Sequence, residues 1–193
     1  MTTIAAVQGD GFAVIGCDSR ITKDDGRIYI LPKEMTKIVR NEKFLIGASG
    51  DLRAINLLSN VKLPSPEDKE GKNLDIFISR EVVPLIQEEF EKYGYGKDGS
   101  HESEILICVS GVIYEVSQNY DWNRDITGIY GVGSGSSYAV GALHALFDKS
   151  MDVEESKACI KDALKISVKM DSGTGEPLHI LSQHGIDAPQ KYR

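Results

Sequence analysis

Thr2 is the residue of this sequence with the most direct route to covalent chemistry. Methionine aminopeptidases commonly remove Met1 before a small residue such as threonine. Removal leaves Thr2 with a hydroxyl and a free α-amine on one residue. An α-amine titrates near about 7.7–8.0, in the range wanted of a general base at neutral pH. A threonine hydroxyl is a weak nucleophile by itself, and an adjacent N-terminal amine is one way of activating it. Read alone, Met1-Thr2-Thr3 is equally a start methionine followed by small residues. A second feature bears on the same point. Asp10-Gly11 reads as a hairpin turn between Ile4–Val7 and Phe12–Ile15. Folding the chain about Asp10 sets Thr2 opposite Asp18, and a two-residue turn shifts the register by one. Either way an acid arrives at the start of the chain.

Other chemistries have less support. Gly133-Ser134-Gly135 before a helix could form an anion-binding nest, but it fits neither Gly-x-Gly-x-x-Gly nor a Walker pattern. No Gly-x-Ser-x-Gly elbow is present, which disfavours an α/β-hydrolase. The four histidines, His101, His144, His179 and His184, have no evident partners, and no Cys-x-x-Cys or His-x-x-x-His spacing supports zinc. No metal or other cofactor is expected.

The elements that must hold these residues come in blocks. Ile4–Val7, Phe12–Ile15, Arg27–Leu31, Lys37–Arg40 and Lys43–Ala48 read as strands, rich in β-branched and aliphatic residues. A helix follows Gly50-Asp51, capped by Asp51, with Leu52, Ile55, Leu57 and Leu58 as its apolar face. Lys62–Asn73 reads as a solvated loop. Asp75 is expected to cap a helix reaching about Tyr93, bent or split at Pro84. A polar loop, Gly94–Ser103, precedes a second hairpin, Ile105–Ser110 with Val112–Ser117, turning near Gly111. Then come a strand at Ile129–Val132, a helix from Tyr138 to Phe147, a helix begun by Asp152 or Ser150 and running to about Val168, a strand at Leu178–Ser182, and a polar tail. Strands, helices, strands, helices and one strand lack the β-α alternation of a doubly wound sheet. The expected class is α+β: a four-layer αββα sandwich of two antiparallel sheets, one domain over residues 1–193.

Composition bounds the environment. The chain has 193 residues, enough for one domain with a real core, and 41% are hydrophobic against 26% charged. Twenty-two Lys and Arg against 29 Asp and Glu give a net charge of −7, poorly suited to tracking a phosphate backbone. The apolar runs are far shorter than the roughly 18 residues of a membrane span. The start of the chain carries no basic signal-like region, and Cys17, Cys108 and Cys159 form an odd, widely spaced set. A cytoplasmic protein with reduced thiols, no nucleic-acid partner and no membrane is expected.

Five segments in order then carry a resemblance. They are Thr2-Thr3-Ile4 with Asp18-Ser19-Arg20; Lys37-Ile38-Val39; Lys43 through Asp51; Gly133 through Ser136; and Asp171 through Gly175. Together they resemble proteasome β subunits and the related bacterial ATP-dependent threonine peptidases, which are N-terminal-nucleophile hydrolases. The resemblance implies that Thr2 is the nucleophile and its own amine the base. It implies that Asp18 holds Lys37, whose ammonium makes the site electropositive, and that the Gly47 N–H stabilises the oxyanion. Ser134, Asp171 and Thr174 would orient the Thr2 amine. It also implies polypeptide substrates, self-assembly into stacked homo-oligomeric rings and an ATP-dependent unfoldase as partner.

Some positions depart from the family pattern. The step from Asp18 to Lys37 is longer than usual, which makes Lys33 a competitor, although Lys37 is followed by the expected apolar pair. Thr174 replaces the usual serine, the two long loops look enlarged, and Thr2 is expected to have no prosegment before it. On an extended strand Leu45, Gly47 and Ser49 face one way. If Gly47 lines the site, Leu45 and Ser49 flank the P1 pocket with Ile21 nearby, and an apolar P1 residue is expected. Two other functions remain open on the same fold: a noncatalytic ring or scaffold subunit, favoured by retention of Met1, and an amidohydrolase of small amides.

Overall fold

Asp10 and Gly11 close a two-residue turn, with Gly11 at φ +72°, a left-handed conformation that glycine adopts without penalty. Strand β1 (Ile4–Gly9) therefore pairs antiparallel with β2 (Phe12–Cys17), Gly9 opposite Phe12 and Ile4 opposite Cys17. One step further this register sets Thr3 against Asp18, whose backbone N–H donates to the Thr3 carbonyl at 3.2 Å. Of the two registers that the turn allowed, the two-residue turn selects the one that shifts the acid from Thr2 to Thr3. The computed structural model describes residues 1–23, 25–67 and 69–185. The tail expected after Ser182 lies outside them from residue 186 on.

Beyond β2 the chain forms a small ribbon of β3 (Arg20–Thr22) and β4 (Ile28–Ile30). It then builds a sheet from β5 (Ile38–Asn41), β6 (Phe44–Ser49), β7 (Glu104–Val109), β8 (Val112–Val116) and β9 (Trp122–Asn123), paired in that order. The other sheet takes β10 (Ile129–Val132) beside β1 and β11 (His179–His184) beside β2. Strands β3 and β9, three and two residues long, were not expected. Such short strands show no alternation for a sequence reading to find.

Helix α1 (Leu52–Leu58) starts where expected, the Asp51 side chain accepting from the Arg53 N–H. The next helical stretch differs from expectation. It begins as α2 (Gly71–Phe77), passes through a π-helical turn at Ile78–Val82 and continues as α3 (Val83–Lys92). Asp75 thus lies inside a helix instead of capping one, and its carboxylate accepts from the Tyr114 hydroxyl at 2.7 Å. The widened turn sits immediately before Pro84, which has no N–H to give and whose ring would crowd the carbonyl four residues back. The chain keeps its direction by widening instead of breaking. Helix α4 (Ser136–Leu146) follows β10, and α5 (Val153–Met170) opens with a capping box in which Asp152 and Glu155 each accept the other's backbone N–H.

Three apolar layers hold these pieces in four stacked tiers. Between the sheets lie Ile4, Ala6, Ile15, Ile38, Leu45, Leu106 and their neighbours. Alternate residues of β6 and β7, such as Ile46 and Ile107, turn outward onto α1, α2 and α3. Val7, Val14 and Ala5 pack under α4 and α5. The fold is the αββα sandwich of two antiparallel sheets. Cys17 and Cys108 are buried free thiols, and burial pushes both up to about 12, which keeps them protonated and inert. His101, expected without a partner, is buried beside Phe90 and Tyr120 and accepts the Ser103 N–H on Nδ1. Among the described residues no helix is long and apolar enough to cross a membrane.

Candidate active site

The start of β1 and the end of β2 meet a charge pair. Asp18 and Lys37 are 0% and 1% exposed, with Lys37 Nζ 2.6 Å from Asp18 Oδ1. The carboxylate also accepts backbone N–H groups from Thr3 at 3.0 Å, Arg20 at 2.9 Å and Gly175 at 3.0 Å. Lys37 donates in addition to the Arg20 carbonyl. Burying both charges is tolerated because each is paired and hydrogen-bonded on several sides. Lys33, the competing lysine, is exposed. The pair thus ties β1, the β2 exit, the segment before β5 and the loop after α5 to one point.

Around the backbone of Thr2 runs a second network. The Thr2 N–H donates to Ser134 Oγ at 3.3 Å, and Ser134 Oγ donates to Asp171 Oδ2 at 2.8 Å. Thr174 Oγ1 donates to the same carboxylate oxygen at 2.6 Å and lies 2.5 Å from Thr3 Oγ1. Counting protons orients the set: with Thr174 giving its hydrogen to Asp171, Thr3 donates to Thr174. The Gly173 N–H reaches Asp171 Oδ1 at 3.1 Å. Burial raises the Asp171 carboxyl, but the bonds from Thr174, Gly173 and Ser134 and the nearby Met1 α-amine outweigh it, so the carboxyl lies below its ordinary range. An ionised Asp171 holds the Ser134 hydrogen and leaves a Ser134 lone pair facing the Thr2 nitrogen.

This packing leaves no room at Gly135, whose N–H approaches the Thr2 carbonyl at 3.4 Å. A Cβ there would lie 2.1 Å from Thr3 Oγ1, 2.7 Å from Thr174 Oγ1 and 3.0 Å from Asp171 Oδ2. Gly135→Ala is expected to cost about 1–3 kcal/mol of stability in denaturant unfolding. A variant that unfolds like its parent would show that the network relaxes freely around the methyl.

The remaining expected residues divide between core and cleft. Gly47 lies in β6, where a Cβ would meet Ile4, Ile15 and Ile38, so it packs against the neighbours of Thr3 and Lys37. Leu45 shares its face but is fully buried in the core between the sheets, and lines no described cavity. Ser49 is buried too, its hydroxyl donating to Glu104 at 3.3 Å. Ile21 alone of the three lines a cleft, of about 570 Å³, together with Gly50, Asp51 and Leu52. Three side chains not singled out from sequence support the site. Arg20 donates to the Ser172 carbonyl at 3.0 Å, Glu104 accepts the Gly133 N–H at 3.3 Å, and Ser167 donates to the Gly135 carbonyl at 2.9 Å. Arg20 belongs to the Asp18-Ser19-Arg20 segment but its contact does not show in the sequence, and neither do those of Glu104 and Ser167, because each is far along the chain from its partner. Among the described residues no group of three or more His, Cys, Asp or Glu side chains could hold a metal ion.

Comparison with known proteins decides the family. The model of the proteasome subunit family matches residues 1–182. The chain belongs to the proteasome subunit family. Proteasome subunit beta type-9 of Oncorhynchus mykiss is 22% identical over 202 residues, which cover 98% of this chain and 86% of that protein. Proteasome subunit beta 1 of Hyperthermus butylicus is 19% identical, covering 93% and 87%. Among solved structures, Thiobacillus denitrificans BPH superposes with a TM-score of 0.77 at 20% identity, covering 97% of this chain and 100% of that one. HslV from Trypanosoma brucei gives 0.69 at 21%, covering 95% and 99%. The fold of this proteasome family member is therefore that of the N-terminal-nucleophile hydrolases. Its Thr2 stands just before the start of β1, with the charge pair on one side and the hydroxyl relay on the other.

Proposed function

We propose that the protein is a threonine-type endopeptidase in which Thr2, exposed by removal of Met1, is the nucleophile. One observation carries this reading: a buried lysine–aspartate pair and a Ser134–Asp171–Thr174 relay converge on the first two residues after Met1. A chain start serving only as a strand end has no use for either.

Each residue then has a task. The free Thr2 amine, held by Ser134, takes the Thr2 hydroxyl proton as Oγ1 attacks the substrate carbonyl. The Lys37 ammonium, anchored by Asp18, makes the site electropositive, which favours a neutral amine and a more acidic hydroxyl. The Gly47 N–H stabilises the oxyanion. The amine gives its proton to the leaving amine, and an ester on Thr2 remains. Water activated by the same amine then hydrolyses that ester. Polypeptides are the substrates. The subunit assembles with copies of itself into stacked rings in the cytoplasm, fed by a separate ATP-dependent unfoldase. Two likenesses bear on this: BPH of Thiobacillus denitrificans was solved in complex with epoxomicin, and Anbu from Pseudomonas aeruginosa as a helical assembly, which supports self-assembly but not its ring form.

A second reading has its own observation. With Met1 in place, the Thr2 hydroxyl donates to the Met1 carbonyl at 2.7 Å and the Thr2 nitrogen is an amide. A chain that keeps Met1 has no base and is a noncatalytic subunit. Intact mass and peptide hydrolysis measured on the same preparation decide between the two. Activity is expected in proportion to the fraction of chains beginning at Thr2. Activity in a preparation that wholly retains Met1 overturns the proposal.

A further inference from the structure

We infer that the cleft beside Ile21 receives a basic side chain, lysine or arginine, at the substrate residue preceding the scissile bond. The inference rests on Thr2 as nucleophile and deepens that reading by naming the substrate class. The two walls of the cleft are the segments that leave the site. One runs from Asp18 through Arg20, whose carbonyl takes Lys37, to Ile21 and Lys23; the other runs from Ser49 to Gly50, Asp51 and Leu52. Ser49 borders Thr2 closely: a Cβ on Gly133 would lie 2.3 Å from the Thr2 carbonyl oxygen and 3.3 Å from Ser49 Cβ. The cleft begins at Gly50, one residue beyond Ser49, on the two segments that lead away from Thr2, and its volume of about 570 Å³ is that of a small-ligand pocket.

Its lining determines what fits. Ile21 and Leu52 supply apolar surface for an aliphatic stem. Asp25, Asp51 and Glu102 bring three carboxylates against the one ammonium of Lys23. Their commitments differ. Asp25 is held by Arg27, and Lys23 lies over the Tyr29 ring, 5.1 Å from its centroid. Asp51 accepts one backbone N–H, from Arg53, and keeps lone pairs free, while Glu102 is exposed. The free negative charge therefore gathers on the Gly50 wall. An apolar stem ending in a cation matches this arrangement. An acidic side chain meets like charge, and an apolar one leaves the carboxylates without a partner. This departs from the apolar preference expected from the sequence, since Leu45, on which that rested, is enclosed in the core.

The test uses the full chain and two readouts. Hydrolysis of peptides carrying Lys, Arg, Leu or Glu before a fluorogenic leaving group gives the selectivity of the wild type. Binding of the same peptides, without the leaving group, to the Thr2→Ala variant gives it independently of turnover. Lys and Arg are expected to exceed Leu by about tenfold in kcat/KM, with Glu slowest. Glu102→Lys should bring that ratio to one or below, and circular dichroism would verify its fold. Preference for Leu or Glu, or an unchanged ratio in Glu102→Lys, overturns the inference and leaves the catalytic reading standing. Basic-selective binding with no hydrolysis by the Thr2 chain does the reverse. Neither binding nor hydrolysis overturns both.

Discussion

Replacing Thr2 by Ala is expected to lower peptide hydrolysis by at least about 1000-fold. The substitution removes the hydroxyl and the γ-methyl group. Alanine is also small, so Met1 removal and the free amine persist, and the backbone N–H still faces Ser134 at 3.3 Å. The Thr2 hydroxyl has Met1 as its partner, which leaves with processing. Stability should therefore change by only about 1 kcal/mol, the order expected for one methyl group of a buried residue. Thr2→Ser keeps the hydroxyl and should keep activity. Steady-state hydrolysis alongside denaturant unfolding separates the two effects. Thr2→Ala chains that hydrolyse peptide at wild-type rates would remove Thr2 from the mechanism altogether.

Lys37→Met is expected to cost about 3–5 kcal/mol of stability, because it leaves the Asp18 carboxylate buried without its countercharge. Three backbone N–H groups still hydrogen-bond that carboxylate, but they offset only part of the lost ion pair. Methionine fills the volume of the lysine stem, so cavity formation contributes little. Hydrolysis should vanish as well, even at temperatures where unfolding curves show the variant fully folded, since the electropositive field beside the Thr2 amine is gone. A loss of under about 1 kcal/mol would mean that water reaches the pair in solution. Retained hydrolysis would mean that Lys37 serves the fold alone.

Much of the architecture was legible because it is written in local patterns. Short runs rich in β-branched and aliphatic residues marked β1, β2 and β6, and Asp10-Gly11 and Gly111 marked the turns of both long hairpins. Capping chemistry marked the starts of α1 and α5. The illegible parts were those where packing outvotes local preference. Asp75 looks like a cap but serves Tyr114 from inside a helix, and Pro84 widens a helix that is held in place by Phe77, Ile78 and Val82 in the core. Glu104 and Ser167 escaped notice because one polar residue in a strand or helix carries no pattern, and Arg20, though part of a recognised segment, was given no task.

By itself the sequence determined which residues could react: a threonine able to carry hydroxyl and free amine on one residue, and an acid returned to the start of the chain by a tight turn. Those are short-range facts, set by chain connectivity and turn geometry. Only the tertiary structure decided that Lys37, and not Lys33, neutralises Asp18, and that Leu45 belongs to the core while Ile21 faces the cleft. Both outcomes depend on how two sheets stack. Stacking chooses which of two chemically similar side chains is desolvated beside a buried charge, and no local stretch of sequence contains that information.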